Sequence, residues 1–218
     1  DALGNYLAAT PVVKSFQITQ ASQTIVWAQT LPTSIVYGTV GPTVAVTSAG
    51  GSGQPVSFTS GDVAVCTVPP TGGLVTIVKV GICTITATQA ADALGNYLAA
   101  TPVPRSLTVT AASQTIVWTQ PLPNIVYSRS PQKTFTLQAT GGASGNPVLF
   151  TSSTPLVCTV SGSTVLGFTA TIVGAGTCRI AANQAGNANY KPALTVTRYF
   201  TVAKSHQDVS CDDIPSRT

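Results

Sequence analysis

The twelve residues DALGNYLAATPV stand at positions 1–12 and return unchanged at 92–103. SQTIVW recurs at the same 91-residue offset, at 22–27 and 113–118. IVYG (35–38) matches IVYS (125–128), and PVSFTS (55–60) matches PVLFTS (147–152). VCTV occurs at 65–68 and 157–160, and GICTITATQA (81–90) matches GTCRIAANQA (176–185). Order is kept from end to end. Self-similarity at a fixed period means that one structural unit has been copied, so each copy must bury the same faces.

Two complete repeats result, 22–112 and 113–204. Residues 1–21 match only the end of a repeat and read as the closing strand of a preceding one. AGNANYKPALTVTRYFTV (185–202) closes the second repeat, and 205–218 has no counterpart or apolar periodicity, as expected of a flexible tail. Asp1 is preceded by no basic-then-apolar leader, which reads as a processed protein or an excised fragment.

Within the first repeat the apolar period is two. Thr43–Thr47, Pro55–Ser60, Val63–Val68, Leu74–Lys79, Ile82–Thr88 and Arg105–Thr110 alternate, separated by turns such as Gly50–Gln54 and Pro69–Gly73. Asp92–Ala100 is the nearest approach to a helix and is expected to be an ordered loop before Pro102. About seven short strands per repeat at 8–12-residue spacing predict an all-β fold of two tandem β-sandwiches, each with its own core, plus the N-terminal strand. The two junctions read SFQITQASQTIVW and SLTVTAASQTIVW, without Gly or Pro, which predicts a semi-rigid link.

On SQTIVW, IVYG, PVSFTS, VCTV, GICTITATQA, GNYLAATP and GNANYKPA, residues 1 to about 204 resemble the bacterial immunoglobulin-like repeats found in tandem in very large secreted and surface proteins. The resemblance implies an immunoglobulin-like sandwich. It also implies use in stalks, adhesins or surface layers.

Cys66 and Cys83 in the first repeat match Cys158 and Cys178 in the second. A disulfide within each repeat is the natural reading, because neither repeat has the further His or Cys that a zinc site needs and no C-x-x-C occurs. An oxidising compartment is implied: periplasm, cell surface or medium. Cys211 is left over and is a candidate for intermolecular pairing, or is free.

Charged residues make up only 7% of the chain, and glutamate is absent. The first repeat holds two acids, Asp62 and Asp92, the second none, and the only histidine is His206. Paired carboxylates and Ser-His-Asp or Cys-His machinery are therefore not expected, and the chain reads as no enzyme. No cofactor or metal site is expected; His206, Asp208, Cys211, Asp212 and Asp213 form a weak cluster better read as polar tail. Calcium-clamped arrays carry carboxylates at each junction, and these junctions have none. The ten basic residues are scattered singly, arguing against nucleic acid, and no apolar run would cross a membrane.

The aromatic pairs Trp27/Trp118, Tyr37/Tyr127 and Phe58/Phe150, with Asn5-Tyr6, Asn96-Tyr97 and Asn189-Tyr190, repeat in every copy, favouring packing over a ligand strip. The functional expectation is an extracellular structural or adhesive spacer. Its partners would be neighbouring repeats, identical subunits, or a host or matrix surface. The alternatives are a filament subunit that docks residues 1–20 on a neighbour, and a glycan- or protein-binding module.

Overall fold

The computed structural model describes residues 4–206. Among them every regular element is a strand. The first repeat contains β1 (Val26–Trp27), β2 (Ser34–Val36), β3 (Thr43–Val44), β4 (Val46–Ser48), β5 (Val56–Ser60), β6 (Cys66–Thr67), β7 (Gly73–Leu74), β8 (Thr76–Ile77), β9 (Gly81–Gln89) and β10 (Val103–Thr110). The second contains β11 (Val117–Trp118), β12 (Ile125–Val126), β13 (Thr134–Leu137), β14 (Ala139–Thr140), β15 (Val148–Ser152), β16 (Cys158–Ser163), β17 (Gly167–Ile172), β18 (Gly176–Gln184) and β19 (Val196–Ala203). The chain packs as two compact units, one built mainly from each repeat, with Ser34–Thr39 and Ile77–Ile82 grouped with the second.

The second repeat shows the layering plainly. A four-stranded sheet in the order β12-β19-β18-β15 faces a three-stranded sheet β13-β17-β16, with the pair β11-β14 beside them. Ile180, Ala182, Phe200 and Val202 from one sheet and Leu137, Cys158, Ala170 and Ile172 from the other form a single buried cluster with Ile116, Trp118 and Phe150. Alternation on β18 and β19 explains it: Cys178, Ile180 and Ala182 on the one strand, and Phe200 and Val202 on the other, stand two residues apart and turn inward together. The first repeat has the matching four-stranded sheet β2-β10-β9-β5 and three pairs, β1-β4, β3-β7 and β6-β8. Its buried residues include Trp27, Val44, Phe58, Val75, Ile85, Ala87, Leu107 and Val109.

Strands are more numerous and shorter than the alternation predicts. Thr43–Thr47 changes partner midway: β3 pairs with β7, whereas β4 pairs with β1. In the second repeat β13 pairs with β17 and β14 with β11. Val63–Val68 is a strand only at its end. Asp62 caps a turn there, its Oδ1 accepting from Ala64 N–H at 2.9 Å and its carbonyl from Val65 and Cys66 N–H at 3.0 and 3.1 Å. Val63 is consequently exposed while Val65 is buried. Leu74 is half exposed, and Val75, between β7 and β8, takes the buried position. Asp92–Ala100 forms turns and no helix.

One pairing has no signature in the alternation. The IVY motif runs parallel to the closing strand: Ser34–Val36 lies opposite Thr108–Thr110, and Ile125–Val126 opposite Val202–Ala203. Tyr37 N–H and Tyr127 N–H extend these ladders to Thr110 and Ala203 carbonyls, both at 2.8 Å.

A disulfide joins Cys66 on β6 to Cys83 on β9, and another joins Cys158 on β16 to Cys178 on β18. All four cysteines are fully buried. In the second repeat the bond ties the three-stranded sheet to the four-stranded one. The closed loops span 17 and 20 residues, for which chain-entropy reasoning gives about 3 kcal/mol each. Replacing Cys158 and Cys178 together by Ala is expected to lower the stability of the second repeat by about 3 kcal/mol in denaturant unfolding, with the Cys66/Cys83 pair acting likewise on the first. A loss below about 1 kcal/mol from either pair would contradict this account.

Candidate functional site

The feature built most fully in both copies is a pair of buried glutamines gripping a glycine-rich loop. β9 turns Cys83, Ile85 and Ala87 inward, and in the same phase it buries Gln89. Gln89 Oε1 accepts from Gly50 N–H at 2.8 Å, and its Nε2 donates to the Gln54 carbonyl at 2.7 Å. Gln23, also buried, comes from the entry segment of the repeat. Its Oε1 accepts from Ser52 N–H at 3.2 Å, and its Nε2 donates to Ala90 carbonyl at 2.9 Å.

The second repeat reproduces this arrangement. Gln184 accepts from Gly142 N–H at 2.7 Å and donates to Asn146 carbonyl at 2.7 Å. Gln114 accepts from Ser144 N–H at 2.9 Å and donates to the Ala185 and Lys191 carbonyls at 3.1 and 2.9 Å. A primary amide suits this work, offering donor and acceptor together without the desolvation cost of a charge. Glycine is needed at the grip itself: a Cβ on Gly50 would lie 2.1 Å from Gln23 Cβ, and one on Gly142 2.5 Å from Gln114 Cβ.

Both acids of the first repeat serve as backbone acceptors. Asp62 caps its turn, and Asp92 Oδ1 accepts from Tyr97 N–H at 2.7 Å while Oδ2 accepts from Asn96 Nδ2 at 3.2 Å. Asn187 replaces Asp92 in the second repeat and accepts from Asn189 and Tyr190 N–H at 2.8 and 2.9 Å. Thr154 replaces Asp62, its carbonyl accepting from Val157 and Cys158 N–H.

The aromatic pairs divide by role. Trp27 and Trp118 are buried, meet Phe58 and Phe150 edge-on at 5.4 and 5.2 Å, and donate their indole N–H to the Val103 and Val196 carbonyls. These rings are core. Within the second unit Tyr37 meets Tyr190 edge-on at 5.6 Å. Tyr6 is exposed.

One surface of the second repeat carries residues that the first does not have. An open cleft of about 590 Å³ is lined by Trp118, Gln120, Leu122, Asn124, Arg198 and Tyr199. The Tyr199 ring carries the Arg179 guanidinium 5.7 Å from its centre, and the first repeat has Ser106 in place of that tyrosine.

Among the described residues no group of three His, Cys, Asp or Glu side chains is placed to hold a metal, and no helix is long and apolar enough to cross a membrane. His206 is exposed. Cys211, Asp208, Asp212 and Asp213 lie outside the described residues. The glutamine clamps escape a search for catalytic or ligating side chains. Their signal is a polar residue in phase with a buried apolar face, repeated in both copies.

No protein-family model matches the chain, and no curated protein matches it significantly. Among solved structures it is similar to Protocadherin Gamma B2 extracellular cadherin domains 3-6, at 14% identity over 84% of this chain and 53% of that one, TM-score 0.35. It is similar to Drosophila N-cadherin EC1-4 at 12% identity over 86% and 50%, TM-score 0.37. The fibronectin(III)-like modules of Clostridium thermocellum CbhA match at 16% identity over 86% and 99%, TM-score 0.34. The chain thus spans about half the length of those two cadherin chains. Its all-β sandwich character stands on its own strand pairing and burial.

Replacing Gln184 by Leu leaves Gly142 N–H without its acceptor at nearly constant side-chain volume. The expected loss is about 1–3 kcal/mol in the second repeat, with faster hydrogen exchange at Gly142. Gln89→Leu should act in the same way on the first repeat and Gly50.

Proposed function

We propose that the chain is a non-catalytic extracellular repeat array that serves as a semi-rigid structural spacer or surface stalk, in the manner of bacterial immunoglobulin-like repeats. One observation carries this reading: the duplicated features make up a complete stabilising set and include no reactive group. Each repeat has its own cystine, its own indole-to-carbonyl bond and its own two glutamine clamps. The entry to each repeat is tied down alike. Ala21 exchanges backbone hydrogen bonds with Asn96 and Leu98 at 2.8 and 2.9 Å, and Ala112 with Asn189 and Lys191 at 2.9 and 2.8 Å. An oxidising compartment supports the cystines.

A spacer is tested by its length. Small-angle scattering on the chain, and on versions with residues 113–204 inserted once or twice more in tandem, should give a maximum dimension that grows by a constant increment per repeat. A dimension that stays flat as repeats are added would count against a spacer. Because the junctions carry no carboxylate, EDTA should leave the unfolding midpoint unchanged, and raising NaCl from about 0.05 to 1 M should move it by no more than about 2 °C. A marked fall with EDTA would point to a calcium-stiffened array instead.

The cleft beside Tyr199 and Arg198 favours a second reading, a glycan- or protein-binding module confined to the second repeat. Selective binding on a glycan array that disappears with Tyr199→Ser would support it.

A further inference from the structure

Three segments of the chain share one pattern: VVKSFQIT at 12–19, VPRSLTVT at 103–110 and VTRYFTVA at 196–203. The last two are β10 and β19, and both have the same burial pattern, with the fifth and seventh residues inward. Leu107 and Val109 are each 1% exposed, and Phe200 and Val202 are 7% and 2% exposed. Their counterparts Phe16 and Ile18 are 86% and 83% exposed, and residues 12–19 belong to no strand. Two copies of this sequence therefore show how such a face is covered. In the second repeat the opposite sheet covers it through Leu137, Ala170 and Ile172. The two strand edges are paired, one with the cysteine-bearing strand, where Cys178 stands opposite Phe200, and the other with the parallel IVY strand.

The chain also leaves this segment in the same way in two copies. From residue 19 it enters the first repeat through Ala21, held by Asn96 and Leu98. From residue 110 it enters the second through Ala112, held by Asn189 and Lys191. The link that leaves β10 thus has its twin leaving residues 12–19. The carbonyl at the head of the strand matches as well. Val103 and Val196 accept the indole N–H of Trp27 and Trp118, and Val12 holds the same place.

We propose that residues 12–19 are the closing strand of a further sandwich of this same repeat type, carried directly ahead of them on the same polypeptide. In it Phe16 and Ile18 fill the core beside a buried cystine. The Val12 carbonyl takes the indole N–H of that repeat's tryptophan. A second copy of the chain is the less suitable partner, because both of its sandwiches already hold their own strand in this slot, β10 and β19. The assignment rests on the repeat architecture and does not depend on the spacer reading.

The test extends the chain by a copy of residues 22–91 placed ahead of Asp1. The new junction, Ala91 to Asp1, reproduces the native step from Ala91 to Asp92. Hydrogen exchange at residues 12–19 is measured in the 218-residue chain and in the extended chain. Exchange should be fast in the first and slower by a factor on the order of a thousand or more in the second. The double substitution Phe16→Asp, Ile18→Asp should abolish that slowing, yet leave the unfolding midpoints of both sandwiches of the 218-residue chain unchanged. Fast exchange at 12–19 in the extended chain would overturn the assignment. So would slow exchange in the 218-residue chain accompanied by concentration-dependent association in sedimentation, which would make a second copy the partner.

Discussion

Each sandwich is organised around a cystine buried between its layers. The bond in the second repeat joins β16 of the three-stranded sheet to β18 at the centre of the four-stranded one. Ile172, Ile180 and Ala182 are buried in the same cluster. With 7% charged residues the chain has few ion pairs to draw on, so its stability rests on apolar burial, hydrogen bonding and this cross-link. The core aromatics extend the same packing outward. Phe150 meets both Trp118 and Phe168, and Phe200 meets Phe135, at centroid separations of 5.2 to 5.5 Å.

Polar side chains serve chiefly to hold the backbone. Substitution between repeats lets the charge go: Asp92 becomes Asn187, whose side-chain oxygen still accepts backbone N–H groups, and Asp62 becomes Thr154, whose Oγ1 accepts from Arg179 N–H instead. A carboxylate needed for proton transfer or cation binding could not be exchanged in this way, whereas one that only receives N–H groups can. The glutamines go further and are kept unchanged, because each must both donate and accept within the protein interior.

Much of this fold is legible in the residues, since two-residue alternation and an internal copy together fix which faces are buried. Leu107 with Val109, and Val56 with Phe58, fall on one side of their strands as their spacing implies. Two kinds of feature escape such a reading. Pairing partners are set by tertiary geometry that side-chain alternation does not encode, so the parallel docking of Ser34–Val36 on Thr108–Thr110 and the split of Thr43–Thr47 have no local sign. Local capping can also override alternation, as at Val63, where Asp62 bends the chain before the strand begins. As for the site, the aromatic residues can be recognised as packing elements. The glutamines lie inside the repeated motifs without drawing notice, because an amide has no reactivity to advertise.

The placement of the cystines also bears on behaviour under tension. A repeat pulled open from its ends cannot release the chain between its own cysteines, which stand 17 positions apart in the first and 20 in the second. At about 3.5 Å of contour per residue, roughly 60 and 70 Å stay folded back on themselves even in a fully drawn-out strand. The slack released per opened repeat is shortened accordingly, and the two cysteine-bearing segments remain side by side. A stretched array of this kind would recoil from a shorter, pre-paired chain once the load is removed.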